Sequence, residues 1–197
     1  MSQRCCTTSV TPSTQFTSNV GVFCYDSYMK VILYPAVTLD GFLANLDGEC
    51  YSWISEEDEE FYNRAIQNAG CSLVGRRTYE QYIDDFPAEN GSTTFVYTTS
   101  DMQKDQARVK FVRGTPEAVL QAIEAHGFSE VIVSGGGEVN GSFAKAGLVN
   151  EIIISVYGVT LGEGIPLFGR HKPNLKLELL SSKQEVKGIV KNHYRVV

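Results

Sequence analysis

Ser72-Leu73-Val74-Gly75-Arg76-Arg77-Thr78-Tyr79-Glu80 runs an apolar stretch into a glycine and then into two adjacent cations that open a helix-like segment. Further along, Val131-Ile132-Val133-Ser134 does the same and ends in Gly135-Gly136-Gly137. A strand that turns directly into a helix presents free backbone N–H groups at the helix start, where the peptide dipoles favour an anion. Two such turns suit the paired phosphates of a dinucleotide. Arg76 and Arg77 add positive charge at the first turn, and a guanidinium meets phosphate oxygens through two hydrogen bonds. Taken alone, the arginines read as a solvated surface pair and the glycines as a tight turn. The glycines do not complete a GxGxxG fingerprint, because with Gly135 and Gly137 as its first two members the third falls on Asn140. A GxxxxGK[ST] phosphate loop is absent.

Around these turns the chain reads as one α/β domain. Lys30 to Tyr34, Cys71 to Val74, Thr93 to Thr98, Val109 to Val112, Glu130 to Ser134 and Glu151 to Val159 are strand-like. Ser55 precedes an acidic first turn, Phe61, Tyr62, Ala65, Ile66 and Ala69 recur at helical spacing, and Gly70 supplies a stop. Thr78 to Asp85 reads as a short helix ended by Pro87, Thr115-Pro116-Glu117 as a helix start closed at His126-Gly127, and Glu138 to Ala146 as another helix. At the C-terminus, Leu175, Leu177 and Leu179 alternate with polar neighbours, as do Val190, Asn192, Tyr194 and Val196. These runs predict an antiparallel hairpin joined near Ser181 to Val186. Alternating strands and helices closed by a hairpin imply a mixed, mainly parallel sheet covered on both faces.

The 197 residues carry a net charge of −6, which argues against general binding to nucleic acid or an anionic membrane. No apolar run approaches the roughly 18 residues that span a bilayer. Cys5, Cys6, Cys24, Cys50 and Cys71 show no pairing or metal-ligand spacing, so reduced thiols and a cytoplasmic setting are expected. His126, His171 and His193 are scattered, so no metal site is expected. Residues 1–28 are rich in Ser and Thr, with Arg4 and Asp26 as their only charges. They are expected to be a disordered or non-domain extension to a domain spanning 29–197.

The GRRTYE segment after a strand, Trp53 and Asp58 at the start of the first helix, and a glycine turn followed by Val139 resemble dihydrofolate reductase. Thr38 to Ala44, Gly135 to Phe143, Gly147 to Glu151 and Leu161 to Phe168 are more similar to the reductase domain of the bacterial riboflavin deaminase–reductase. The resemblance covers nearly all of the chain beyond residue 30. It departs at Ser134, where riboflavin reductases commonly carry an acid, and at Asn140, often Tyr in dihydrofolate reductases. It implies a dihydrofolate reductase-like three-layer α/β sandwich and NADPH as cofactor. Carried onto this chain, it places Gly75, Arg76, Arg77 and Thr78 on the cofactor phosphates and Ser100 near the adenosine ribose phosphate. Gly135, Gly136, Gly137, Glu138 and Val139 would hold the pyrophosphate and nicotinamide side, with Ala36 and Phe42 framing the nicotinamide ring.

Hydride transfer asks a protein to align two rings, exclude water and supply a proton. The resemblance makes Asp58 the proton donor and substrate anchor, since a carboxylate pairs with an amino-pyrimidine edge. Ser55-x-x-Asp58 also reads as a capping box, which would make Asp58 a helix cap. Trp53 would line the substrate pocket or pack beside it, and Glu163 would face its mouth. Three functions stay open: a reductase of a pterin- or aminopyrimidine-like substrate, the 5-amino-6-(5-phosphoribosylamino)uracil reductase of riboflavin biosynthesis, and a non-catalytic nucleotide-binding protein. The zinc-deaminase motif H-x-E…P-C-x-x-C is absent. Related reductase domains are commonly dimers, and the apolar Glu151 to Val159 and Ile165 to Phe168 segments fit a homodimer.

Overall fold

The computed structural model describes residues 29–50, 52–86, 91–100 and 105–197, so stretch 1–28, Pro87 and Asp101 lie outside the described residues. In chain order the elements are β1 (Lys30–Leu33), β2 (Ala36–Thr38), β3 (Phe42–Ala44), α1 (Glu56–Ala69) and β4 (Cys71–Gly75). Then come α2 (Arg76–Gln81), β5 (Thr93–Tyr97), β6 (Val109–Val112), α3 (Pro116–Ala125), β7 (Glu130–Gly135) and α4 (Gly137–Lys145). The chain closes with β8 (Glu151–Tyr157), β9 (Ile165–Pro166), β10 (Leu177–Val186) and β11 (Ile189–Val196).

One sheet runs β10-β11-β8-β1-β7-β4-β5-β6, with β2 also on β8, and β3 pairs with β9 outside it. From β8 to β6 every pairing is parallel, while β11 is antiparallel to β8 and β10 to β11. β1 and β2 share one register on β8, from Ile32↔Glu151 through Ala36↔Ser155 to Thr38↔Tyr157. Pro35 between them has no N–H to give, but its carbonyl still accepts from Ser155 N at 3.1 Å, so the line is not broken. β7 ends differently. Gly135 sits at φ +93°, in the left-handed region, and turns the chain off the sheet. β2 and the end of β7 therefore part at the carboxyl edge, the place where open α/β sheets bind ligands.

Side chains alternate between two covered faces. Val31, Leu33, Leu73, Phe95, Val131 and Val133 pack against Val119, Leu120 and Ile123 of α3 and Val139 and Phe143 of α4. On the opposite face, Ile32 and Ile132 meet Ile66 of α1, and Val74, Val96 and Val109 meet Tyr79 of α2. The helix on one face, sheet, and helix on the other are the three expected layers. Among the described residues no helix is long and apolar enough to cross a membrane.

Two local expectations are refined. α2 begins at Arg76, not Thr78, because Gly75 takes the extended N-cap conformation and the arginines, good helix formers, enter the first turn. The hairpin joint lies at Lys187-Gly188, just past the Ser181 to Val186 stretch near which it is expected, since Val186 still pairs with Ile189 and Gly188 takes φ +84°. A bulge between Leu179 and Ser181 shifts the alternation of β10, which hid that strand's continuation in the sequence.

Candidate active site

The two glycine turns meet. Val74 pairs with Gly135 across β4 and β7, so Gly75 lies beside Gly135 and Gly136. A Cβ at Gly75 would sit 3.0 Å from Val139 Cγ2, and one at Gly136 would sit 3.3 Å from Thr78 Oγ1. The Gly135–Gly136 peptide is cis. α4 starts under the segment that follows β9, where a Cβ at Gly137 would strike the Pro166 carbonyl. Glu138 faces this same segment: its carboxylate accepts from Arg170 N at 3.0 Å and pairs with Arg170 Nε at 2.9 Å. Asn140 is buried and gives its Nδ2 to Leu167 O at 3.1 Å, while its Oδ1 has no partner among the described residues.

Arg76 is held by Glu80 at 2.6 Å, one helical turn on, whereas Arg77 is exposed at the same carboxyl edge. Ser100 is exposed just past β5, its N–H bonded to Thr98 Oγ1 at 3.1 Å. Ala36 is half-buried at the start of β2, and Phe42 half-buried in β3 against β9. Asp40 ties the neighbouring loops together, accepting from Thr38 Oγ1 at 2.5 Å and from Gly162 N at 2.8 Å. Glu163 is exposed in the segment between β8 and β9, next to Gly164, which packs over Phe42.

Among the described residues Asp58 is the one buried acid. Only 5% of it is exposed. Its Oδ1 accepts from Ser155 Oγ at 2.9 Å and meets Lys191 Nζ at 2.8 Å, and its Oδ2 accepts from Tyr157 Oη at 3.0 Å. Half of the capping box forms: Ser55 Oγ accepts from Asp58 N at 3.2 Å. The other half does not, because Ser55 N donates to Tyr157 Oη at 3.3 Å, which leaves the Asp58 carboxylate turned into the sheet. Trp53 packs edge-on to Tyr157 at 5.0 Å, and its Nε1 is buried without a partner among the described residues.

These contacts follow from register. Ala36, Ser155 and Lys191 stand in one row across β2, β8 and β11, so a carboxylate laid over Ser155 of β8 also reaches Lys191 of β11. Lys191 lies 4.1 Å from the centre of the Phe61 ring. Burial by itself would lower the Lys191 pKa, but hydrogen bonds to Asp58 and Tyr34 outweigh it and hold the ammonium above its ordinary value. Burial, with the adjacent Asp58 carboxylate adding to it, pushes the Tyr157 hydroxyl up to about 12, so it stays a donor at neutral pH. Sequence reasoning named Asp58 and Trp53 as candidates and did not name Ser155, Tyr157 or Lys191, which the fold brings to Asp58. The available signal was Ser155 and Tyr157, polar groups at every second position of an otherwise apolar strand.

The comparisons with known proteins agree with this architecture. The uncharacterized protein YwjB of Bacillus subtilis is 33% identical over 161 residues, covering 79% of this chain and 91% of that protein. A diaminohydroxyphosphoribosylaminopyrimidine deaminase/5-amino-6-(5-phosphoribosylamino)uracil reductase of Thermotoga maritima superposes with a TM-score of 0.70 at 16% identity, over 86% of this chain and 57% of that one. Dihydrofolate reductase from Enterococcus faecalis, complexed with NADP(H), superposes with a TM-score of 0.66 at 18% identity, over 86% of this chain and 97% of that one. The fold is thus dihydrofolate reductase-like. Residues 85–191 match the RibD C-terminal domain, and the chain belongs to that family.

Proposed function

We propose that residues 29–197 form an NADPH-dependent reductase domain that delivers hydride to a C=N or C=O bond of a pterin- or aminopyrimidine-like substrate. One observation supports this reading: the buried Asp58 carboxylate accepts from Ser155, the β8 partner of Ala36, and β2 lies on the same carboxyl side of the sheet as the Gly75 and Gly135–Gly137 turns. The turns fit a phosphate chain, since side chains at Gly75 and Gly136 would crowd Val139 and Thr78 and close the approach to the backbone. Arg77 and Ser100 would hold the adenosine-side phosphate, with Arg76, Thr78 and Val139 shaping the turn, and Ala36 and Phe42 would flank the ring. Glu138 supports the turn through Arg170. NADPH, when bound, supplies the hydride. Trp53 Nε1, an unpartnered donor near the Asp58 group, would accept company from a substrate acceptor atom, and Glu163 would stand at the mouth.

A second reading has its own observation. Three donors already occupy the Asp58 oxygens, so a protein that binds nucleotide without turnover fits the same geometry. Family membership keeps the riboflavin-precursor reductase as the alternative substrate assignment within the enzyme reading. A homodimer and a cytoplasmic setting complete the proposal, with no nucleic acid or membrane partner. Thermal-shift measurement with NADPH and NADH, followed by NADPH oxidation assays with pterins, folates and riboflavin precursors, tests it. NADPH should stabilise more than NADH, and a cofactor at a hundred times its dissociation constant should add about 2.7 kcal/mol over the free protein. Equal shifts would remove the role of Arg77 and Ser100, and binding without turnover of any substrate would favour the second reading.

A further inference from the structure

We infer that the concavity between α1 and the β10–β11 hairpin binds a small planar organic anion, at a place separate from the glycine turns. It measures about 240 Å³ and is lined by Tyr34, Phe61, Ile153, Ser181, Lys183, Lys191 and His193. Lys183 and Lys191 are direct partners across the two antiparallel strands. Like charges placed opposite each other in a sheet destabilise it, so this pairing needs a counter-charge.

The acids at hand supply only part of it. Asp58 meets Lys191 from the interior at 2.8 Å. Glu151 takes His193 at 2.8 Å and Lys30 at 3.1 Å. Among the described residues no carboxylate lies within ion-pairing distance of Lys183. The open side of the concavity is therefore cationic, with Lys183, the Ser181 hydroxyl and the His193 ring around its rim.

Its floor and wall are of another kind. Tyr34 and Phe61 present aromatic surface and Ile153 an aliphatic patch, all half-buried or better. Apolar walls with a few convergent polar groups are what a ligand pocket requires, and this volume, below the range of about 300–1,000 Å³ for drug-sized ligands, fits one ring with one anionic substituent. Lys191 Nζ is itself buried against Asp58 and the Phe61 ring, so Lys183 is the cation that meets the anion. The pocket stands on the α1 face of the hairpin, away from Leu179 and Val190 on the other face.

Calorimetric titration of the full chain without cofactor, at low salt, tests this with phenyl phosphate, benzoate and the neutral benzyl alcohol. At least one of the two anions should saturate a single site, and benzyl alcohol should not bind. Whether phosphate or carboxylate wins identifies the headgroup. Lys183→Gln should weaken the bound anion tenfold or more, equivalent to about 1.4 kcal/mol, and Lys183→Glu should abolish binding. Both changes are at an exposed position and remove the like-charge pair, so the melting temperature should be no lower and the NADPH shift should stay as it is. The inference is overturned if neither anion saturates, if Lys183→Glu binds as well as the parent, or if benzyl alcohol binds equally. It is overturned too if Arg77→Gln rather than Lys183→Gln removes binding, which would place the anion at the glycine turns.

Discussion

Asp58 shows how one side chain can satisfy a local pattern and still serve a distant one. Its backbone N–H completes the cap that Ser55 offers, while its carboxylate gathers Ser155, Tyr157 and Lys191. Asp58→Asn keeps the shape and the cap, because the cap uses the Asp58 backbone N–H and the Ser55 hydroxyl rather than the Asp58 side chain. We expect NADPH binding to persist in this variant and turnover to fall about a hundredfold, the size of a lost proton-transfer group. Unchanged turnover with a substrate found by screening would take Asp58 out of the chemistry. Lys191 is nine-tenths buried, with 10% of its side chain exposed. Removing one member of a buried pair leaves the other charge uncompensated, so Lys191→Met should lose about 3 kcal/mol in urea unfolding. Adding Asp58→Asn to Lys191→Met should restore part of that loss, and strict additivity of the two would show that the pair is not coupled.

α4 illustrates why glycines cluster where a helix is overlaid. Gly141 lies in the middle of the helix, where glycine lowers helix stability relative to alanine, so its retention there has a packing cause. A Cβ at Gly141 would strike the Phe168 carbonyl and lie 2.7 Å from the His171 Cβ. Gly141→Ala should therefore destabilise the protein by about 1–3 kcal/mol, the usual size of overpacking, despite alanine's better helix propensity. A rise in melting temperature would mean that the segment after β9 moves away freely. The hairpin, rather than β8, whose edges are paired with β1, β2 and β11, is the other informative element, because it carries exposed apolar side chains. Leu177, Leu179 and Val190 are 43%, 55% and 42% exposed on the face turned away from α1. Leu179→Glu should convert the proposed dimer to a monomer in light scattering, and a parent protein of monomer mass at micromolar concentration would end the dimer proposal.

Across the molecule, ionic contacts join strands that are far apart in sequence. Lys30 of β1 reaches Glu130 of β7 at 3.6 Å and Glu151 of β8 at 3.1 Å, and Glu151 also takes His193 of β11 at 2.8 Å. Burial alone would raise the Glu151 pKa, but the hydrogen bonds from His193 and Lys30 outweigh it and hold the carboxyl below its ordinary value of 4.5. A group whose folded pKa is depressed stabilises the fold above its unfolded pKa. That contribution is lost as pH falls through the folded value. Thermal stability should thus decline as pH drops below about 4.5, and Glu151→Gln should flatten this acid limb while lowering stability at neutral pH. An identical acid limb in the variant would assign the decline to other carboxylates.

Periodicity and punctuation made most of the elements legible from sequence. Ser55 and Gly70 bound α1, Thr115-Pro116 opens α3, and the glycine turns close β4 and β7, because caps and turns are set by residues within a few positions. The same local rules picked out Asp58 as a carboxylate at a helix start. What they could not reach was its company. Ser155, Tyr157 and Lys191 meet it only because β11 runs antiparallel on β8 with Lys191 against Ser155, and α1 crosses above that row. Register between distant strands is chosen by the burial of whole faces, and a shift of one residue would have turned Lys191 to the opposite side. The helix end was therefore written in its own residues, while the charge that sits against Asp58 came from the packing of the sheet.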